Sequence, residues 1–368
     1  MPIALIEIGV QALGIYAKKI GFVGCVLGFI VMGTAVGALA VTAVASFLYT
    51  FLGKFSGKIR RGTPGRVAGG NGTFPNLDGL AMEITLTEDF YQVSKNIIDP
   101  DLDAEAWSLE IGGLVDRPLK LSYADLKAME AVEQYATLEC ISNEVGGDLI
   151  GNAKWKGVRL RTLLEQAGAQ SSVRDVVLRA ADGYSDSIPL DLALQDSTLL
   201  IYEMNGAPLT PTHGFPVRLL VPGIYRMKNV KWMTHIELVD YDYKGYWQKR
   251  GWDDWAEYKT MSRIDVPQAS ASRAGTTIAG IAFAGDHGIN RVEVSTDGGA
   301  TWEAAELRAP LSPYSWVLWQ HPWIPPQAGK FQVLVRATDG WGQTQTAEKA
   351  EPIPDGASGY HQRTINVL

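Results

Sequence analysis

From Ile20 to Gly53 the chain runs 34 positions without a charged side chain, and no other feature restricts it as strongly. At about 1.5 Å per helical residue the run reaches roughly 50 Å, more than the roughly 30 Å of a bilayer core. Two spans of about 17 residues would leave almost nothing for a turn, so the run predicts one long or tilted membrane helix. It is too long for the apolar core of a signal peptide, and Lys18-Lys19 ahead of it is not a twin-arginine pair. The expectation is a retained, single-pass anchor over residues 1–53 in the cell membrane. Gly24/Gly28 and Gly33/Gly37 have the spacing that lets a second helix approach, a pattern equally common in spans without a partner. Lys54, Lys58, Arg60, Arg61 and Arg66 follow the run and Lys18 and Lys19 precede it. That bias favours a cytoplasmic soluble part.

Residues 54–85 read as a flexible linker, with Thr63-Pro64-Gly65, Gly69-Gly70-Asn71-Gly72 and Phe74-Pro75-Asn76. From 86 to 265 strand-like runs alternate with helical ones. The strands are expected at Trp107 to Ile111, Val176 to Arg179, Leu199 to Glu203, Val217 to Val221 and Trp232 to Val239. Helices are expected at Tyr123 to Met129 and at Arg161 to Ala167, the second stopped by Gly168. This is a mixed α+β pattern. From 266 to 368 short β runs (Thr277 to Phe283, Arg291 to Ser295, Ser315 to Gln320, Phe331 to Thr338) are parted by Gly- and Pro-rich turns, the signature of an all-β sandwich. Trp302, Trp316, Trp319, Trp323 and Trp341 are most simply its core.

The 33 Lys+Arg against 40 Asp+Glu give a net charge of −7. The soluble part has no basic block to track a phosphate backbone, which argues against nucleic acid as a partner. Cys25 lies in the apolar run and Cys140 far from it, so neither a disulfide framework nor a multi-cysteine zinc site can form. His235, His287, His321 and His361 show no ligand spacing, and no Cys-x-x-Cys-His haem motif occurs. The stretch from Ser295 to Trp302 has the form of an aspartate box, but a single copy is a hairpin turn rather than a propeller blade.

Cys140 sits in Thr137-Leu-Glu-Cys-Ile-Ser-Asn143, at the end of a strand-like run. A buried cysteine is readily inert packing. Here, however, Asn143, Gly146 and Gly147 follow it and let backbone approach a ligand. A thiolate so placed suits a soft or high-valent metal better than calcium or magnesium. Downstream, His213, Arg218, Lys228 and Lys231 cluster at a strand and its following turn. Such a set makes a phosphate receptor, although a solvated basic edge has the same composition.

The segments from Thr137 to Leu164, from Tyr202 to Trp232 and from Tyr246 to Trp252 together resemble the sulfite oxidase family of molybdopterin enzymes. The stretches from Ile289 to Leu307 and from Arg336 to Gln345 are similar to the family's immunoglobulin-like dimerisation domain. The resemblance implies molybdenum-molybdopterin as cofactor, with Cys140 as the protein ligand to the metal. It implies that His213 and Arg218 grip the pterin phosphate and that Asn229, Val230 and Lys231 make the second contact. Tyr91 and Gln92 fall where the family's N-terminal cofactor loop lies, and Asn143 belongs to the cofactor-binding set. The implied activity is two-electron oxygen-atom transfer on a small oxo substrate. Electrons would pass to or from a separate cytochrome or quinol-linked partner, and the sandwich would pair two copies. A non-catalytic, membrane-tethered scaffold on the same fold is the competing reading, and a cysteine-nucleophile hydrolase is a third.

Three positions depart from the sulfite-oxidising pattern. Arginines stand there in place of Ser94 and Val145, and a tyrosine in place of Trp252. Losing two arginines removes charge-assisted bonds of about 1.5 to 3 kcal/mol each, which argues against sulfite. Lys95 and Arg250 restore positive charge nearby and keep an anion open, whereas an aromatic wall at Trp252 suits a larger or neutral S- or N-oxide. Cys140, Trp252 and Lys95 are the candidate catalytic residues.

Overall fold

The computed structural model describes Phe74 and residues 77–368. The expected membrane helix and most of the linker lie outside them. Among the described residues no helix is long and apolar enough to cross a membrane.

Two five-stranded sheets build the first domain. One runs in the order Leu119–Ser122, Ser108–Gly113, Met233–Val239, Asp175–Ala180, Ser185–Pro189. The other runs Val132–Glu139, Ile150–Arg159, Leu199–Met204, Ala207–Pro208, with Arg218–Leu220 also paired to Leu199–Met204. Alternation along Leu199–Met204 explains why this second sheet is buried on both faces. Leu200 and Tyr202 point into a core shared with the first sheet, while Leu199 and Ile201 point into a second core with Leu138, Cys140, Trp155, Phe90 and Tyr91. That second core lies under the thiol.

Both expected helices are present, and a third, shorter one joins them. The described residues hold three short α-helices, Tyr123–Ala128, Leu160–Ala167 and Leu190–Ala193, in a mostly β domain. Ser122 and Asp125 cap the first reciprocally. In the second, Leu160, Leu163, Leu164 and Ala167 form the buried face, and Gly168, at φ 70°, ends it in the left-handed region. The run from Ile150 to Arg159, with polar Asn152, Lys154 and Lys156 interleaved, is also a strand.

The second domain is a sandwich. Met261–Val266, Thr276–Phe283, Val317–Trp323 and Glu306–Leu307 form one sheet, and Ser270–Ala271, His361–Val367, Gly329–Asp339, Ile289–Ser295 and Glu303–Ala304 the other. Ile278, Trp319 and Trp323 from the first sheet meet Val292, Val333, Val335 and Ile365 from the second. Thr276–Phe283 is buried on its other face as well, where Ala279, Ile281 and Phe283 join Ile141, Tyr225 and Tyr258 of the first domain. A side chain at Gly280 would run into the Arg263 carbonyl of the neighbouring strand.

The tryptophan reading needs correction. Trp319 and Trp323 are sandwich core, but Trp316 belongs to the inter-domain core. Trp341 is 68% exposed and stacks on His287. Trp302 lies half-buried beneath the Arg336 guanidinium. These turn positions lack the strand alternation that would turn an indole inward.

Trp155 is fully buried and donates its indole N–H to the Ala136 carbonyl at 2.9 Å. Trp155→Ala should therefore cost about 3 to 5 kcal/mol in urea unfolding followed by circular dichroism. A loss under about 1 kcal/mol would mean that the second core is not packed as described.

Candidate functional site

Cys140 follows directly on the strand Val132–Glu139, whose last register pair is Glu139 with Ile150. Its N–H donates to the Leu149 carbonyl at 2.9 Å, and its carbonyl accepts from Asn143 N–H at 2.9 Å. The Asn143 side chain closes this turn, donating to Glu139 Oε1 and accepting from Leu149 N–H, each at 2.9 Å. Its polar atoms thus hold the loop that presents the sulfur. Burial pushes the Cys140 thiol pKa up, while the Ser142 hydroxyl at 2.9 Å and the charge of Arg226 oppose the shift. Burial likewise raises Glu139 to about 7, and its Oε2 has no partner.

The N-terminal loop lies across this core. Phe90 stacks on Tyr91 at 5.4 Å and meets Trp155 and His213 edge-on at 5.8 and 5.6 Å. Tyr91 is 1% exposed, yet its hydroxyl has no partner. Gln92 beside it is also buried.

The cations come from Arg218–Leu220 and the loop after it. Arg218 is fully buried over Trp155 at 5.4 Å, with its nitrogens on the His213 and Asn229 carbonyls at 3.1 and 3.2 Å. His213 places Nε2 3.1 Å from the Thr87 carbonyl, which can only accept, so Nε2 carries the proton. Nδ1 is then a buried ring nitrogen without a partner. Burial, then Arg226, lowers the His213 pKa to about 3. Lys231 rests on the Thr212 and Val93 carbonyls at 3.1 and 3.3 Å, its pKa also lowered by burial and then by Arg226. Asn229 clasps the loop through Val221 N–H at 2.6 Å, and Val230 is core.

Arg226, which sequence reasoning missed, and Lys228, expected in the phosphate receptor but engaged by Asp186 instead, complete the site. Arg226 lies over the Tyr91 ring at 4.5 Å and donates Nη1 to the Tyr91 carbonyl at 3.2 Å, while Nη2 is buried without a partner. Lys228 and Asp186 form a buried ion pair at 2.9 Å, extended by the Tyr184 hydroxyl at 3.0 Å from the carboxylate. This pair pins the loop bearing Arg226 and Asn229. A buried basic residue inside a basic-looking loop is the signal that was present.

The substrate-side candidates divide. Trp252 stacks on Trp247 at 4.2 Å and packs, like Met227, on the inter-domain core. Lys95 instead pairs with Asp182 at 3.2 Å, and exposed Arg250 lies over Tyr246 at 3.6 Å. Each has its charge engaged, Lys95 by Asp182 and Arg250 by the Tyr246 ring.

The orphaned donors of Tyr91 and Arg226, set beside a soft thiol and buried cations, fit a phosphate-bearing metal cofactor, and the orphaned acceptors His213 Nδ1 and Gln248 Oε1 fit N–H or O–H groups of the same molecule. The class is therefore a cofactor-binding oxidoreductase domain joined to a β-sandwich. Residues 96–247 match the family model of the oxidoreductase molybdopterin-binding domain, and 259–363 that of the Mo-co oxidoreductase dimerisation domain. The chain belongs to the sulfite oxidase family of molybdopterin-dependent oxidoreductases, enzymes whose cofactor is molybdenum-molybdopterin.

Among its relatives, the uncharacterized oxidoreductase YuiH of Bacillus subtilis is 37% identical over 41% of this chain and 74% of its own. Mitochondrial sulfite oxidase of Drosophila melanogaster is 30% identical, with 80% of this chain and 61% of that protein covered. For the Homo sapiens enzyme the figures are 31%, 65% and 53%. The chain thus spans just over half to about three-fifths of these sulfite oxidases. The crystal structure of the sulfane dehydrogenase SoxCD from Paracoccus pantotrophus shares the fold, with TM-score 0.67 and 23% identity over 79% of this chain and 84% of that one.

His213 sets a pH prediction. Its folded pKa of about 3 lies below the unfolded value of about 6.5, so the unfolded chain binds more protons between the two. Its contribution is complete above about pH 6.5 and is lost as pH falls towards 3, by up to about 1.4 kcal/mol per pH unit. In protein expressed without cofactor, H213Q should flatten the acid side of a urea-stability profile by that slope. Parallel profiles for H213Q and wild type would contradict the burial of a neutral imidazole.

Proposed function

We propose that this enzyme carries out two-electron oxygen-atom transfer on a small oxo substrate at molybdenum bound by Cys140. The observation that carries the reading is the buried thiol at a strand end, facing unpartnered polar groups and cations set for a phosphate. When bound, the cofactor supplies the redox couple. The chain supplies the rest. Burial raises the free thiol's pKa, so the thiolate state depends on a metal to compensate it. Arg218 and Lys231 are the phosphate grip, with Tyr91, Gln92, Asn229 and Val230 shaping the loops around it; the neutral His213 ring stands beside them with Nδ1 as an acceptor for a hydrogen of the cofactor. Trp252 is the aromatic wall of the substrate side. The wall suits an S- or N-oxide. Lys95, bound to Asp182, is withdrawn from the catalytic role expected of it.

The same geometry weighs against the hydrolase reading. The hydrogen bond described for Cys140 Sγ is to Ser142, not to an imidazole, and a thiol with a raised pKa is a poor nucleophile. A scaffold would not need the cation set. The chain has no Cys-x-x-Cys-His motif, so electrons pass to or from a separate cytochrome or quinol-linked protein. The sandwich pairs two copies, the role for which its family model is named. Residues 1–53 tether the enzyme to the membrane, with the charge bias placing the catalytic part in the cytoplasm.

C140S should retain pterin, lose the protein sulfur from the molybdenum X-ray absorption spectrum and drop turnover by more than about a hundredfold, beyond what outer-sphere groups alone contribute. The assay screens sulfite, sulfoxides, N-oxides and nitrate against ferricyanide or reduced viologen. Wild-type protein purified without stoichiometric molybdenum, or a spectrum unchanged in C140S, would end the proposal.

A further inference from the structure

We propose that the cavity behind the strand Val132–Glu139, where the two domains meet, is a binding site for a small monovalent cation held by Glu139 and Glu144. It is separate from the cofactor site and does not depend on the molybdenum reading.

Leu138 and Cys140 face the second core. By strand alternation Thr137 and Glu139 face the other way, and there Thr137 Oγ1 accepts from the Trp316 N–H at 2.9 Å. The second domain thus covers the reverse of the strand, and a narrow cavity is left between them. Glu139, Asn143 and Glu144 line it on one side, Lys259, Ser262 and Gln345 on the other. It has room for about one particle the size of a water molecule.

Most polar groups of this wall are engaged. Ser262 donates to Gln345 Oε1 at 2.7 Å, and Gln345 Nε2 to the Gly359 carbonyl at 2.8 Å. Lys259 Nζ meets Asp355 at 3.1 Å and the Gly356 carbonyl at 2.9 Å. The Asn143 amide is taken up by Glu139 Oε1 and the Leu149 N–H. Glu139 is 5% exposed, and its Oε2 is the buried side-chain atom of the wall that has no partner among the described residues. Arg263 does not supply one, being paired with Asp265 at 2.6 Å and bonded to the Gly147 carbonyl at 2.8 Å.

Chemistry selects the ligand. A carboxylate oxygen only accepts, so its complement is a cation or a hydrogen-bond donor. Exposed Glu144 adds a second negative charge to the wall, whereas Asp355 already offsets Lys259. A divalent ion such as calcium needs about six to eight oxygen ligands. Among the described residues no group of three Asp, Glu, His or Cys could hold a metal ion. Two carboxylates with neutral oxygens suit a monovalent ion instead, and the narrow space admits ammonium or potassium but not a bulky organic cation. Such an ion would steady the Glu139–Asn143 hydrogen bond, and with it the turn after Cys140.

The test uses the full-length protein at about pH 8 and constant ionic strength, with potassium, ammonium or tetramethylammonium chloride as the salt and the thermal unfolding midpoint as readout. Potassium or ammonium should raise the wild-type midpoint by about 2 to 4 °C over tetramethylammonium. E139Q keeps the acceptor for Asn143 and should abolish the rise, while E144Q should reduce it. Equal wild-type midpoints in the three salts would mean that the cavity takes water alone, and overturn the proposal. A rise left intact in E139Q and E144Q overturns it too, because the ion then binds elsewhere. Should E139Q fail to fold, E144Q decides: a reduced rise supports the site and an undiminished one ends it.

Discussion

Two guanidiniums buried without a carboxylate partner, with the half-buried Lys231 ammonium beside them, set the terms for the rest of this structure. Arg218, Arg226 and Lys231 bond to main-chain carbonyls, and among the described residues none has a carboxylate within ion-pair distance. Carbonyl dipoles compensate such charges only partly. The lowered pKa values of His213, Arg218 and Lys231 express that deficit, with burial as the first cause in each. A fold that keeps this arrangement is built around an anion it does not itself contain. An anion bound there adds to folding stability, because it relieves a cost already present in the protein.

The Lys228–Asp186 pair shows the contrasting case in the same loop. Lys228 is 3% exposed, but it meets a carboxylate that is itself fully buried. Burial raises the Asp186 pKa and Lys228 lowers it. Breaking such a pair by removing one partner costs about 3 to 5 kcal/mol. Its place is structural, since it fixes the turn on which Arg226 and Asn229 stand. One loop thus carries a lysine paired with a carboxylate and an arginine with an unpartnered donor.

Much of this was legible in the sequence where the signal is local. Gly168 ends its helix as a glycine stop should, and the β runs at Leu199 and Thr277 are strands. Cys140 stood out because a strand-like run led into an asparagine and a glycine pair. What was not legible depends on partners distant in sequence. Lys95 looked free beside Ser94, but Asp182 neutralises it from 87 residues away. Arg226 carried no signal of its own in the sequence, and only its seat on Tyr91, 135 residues earlier, shows an unused donor. The strand Ile150–Arg159 escaped notice because its interleaved polar residues break the apolar run.

The C-terminal sandwich is also part of the site's support. Val132–Glu139, the strand that delivers the thiol, is the edge of its sheet, and an edge left open invites pairing with other chains. The sandwich closes it. Thr137 N–H donates to the Tyr314 carbonyl and Thr137 Oγ1 accepts from Trp316 N–H, both at 2.9 Å, while Ser312 donates to the Tyr135 carbonyl at 2.6 Å. Further along, Arg263 donates to the Gly147 carbonyl at 2.8 Å, and the His361 ring sits against Gly146. The second domain therefore grips both the strand before Cys140 and the turn after it. Displacement of the sandwich would be felt at the Cys140 sulfur through hydrogen bonds on both sides of it.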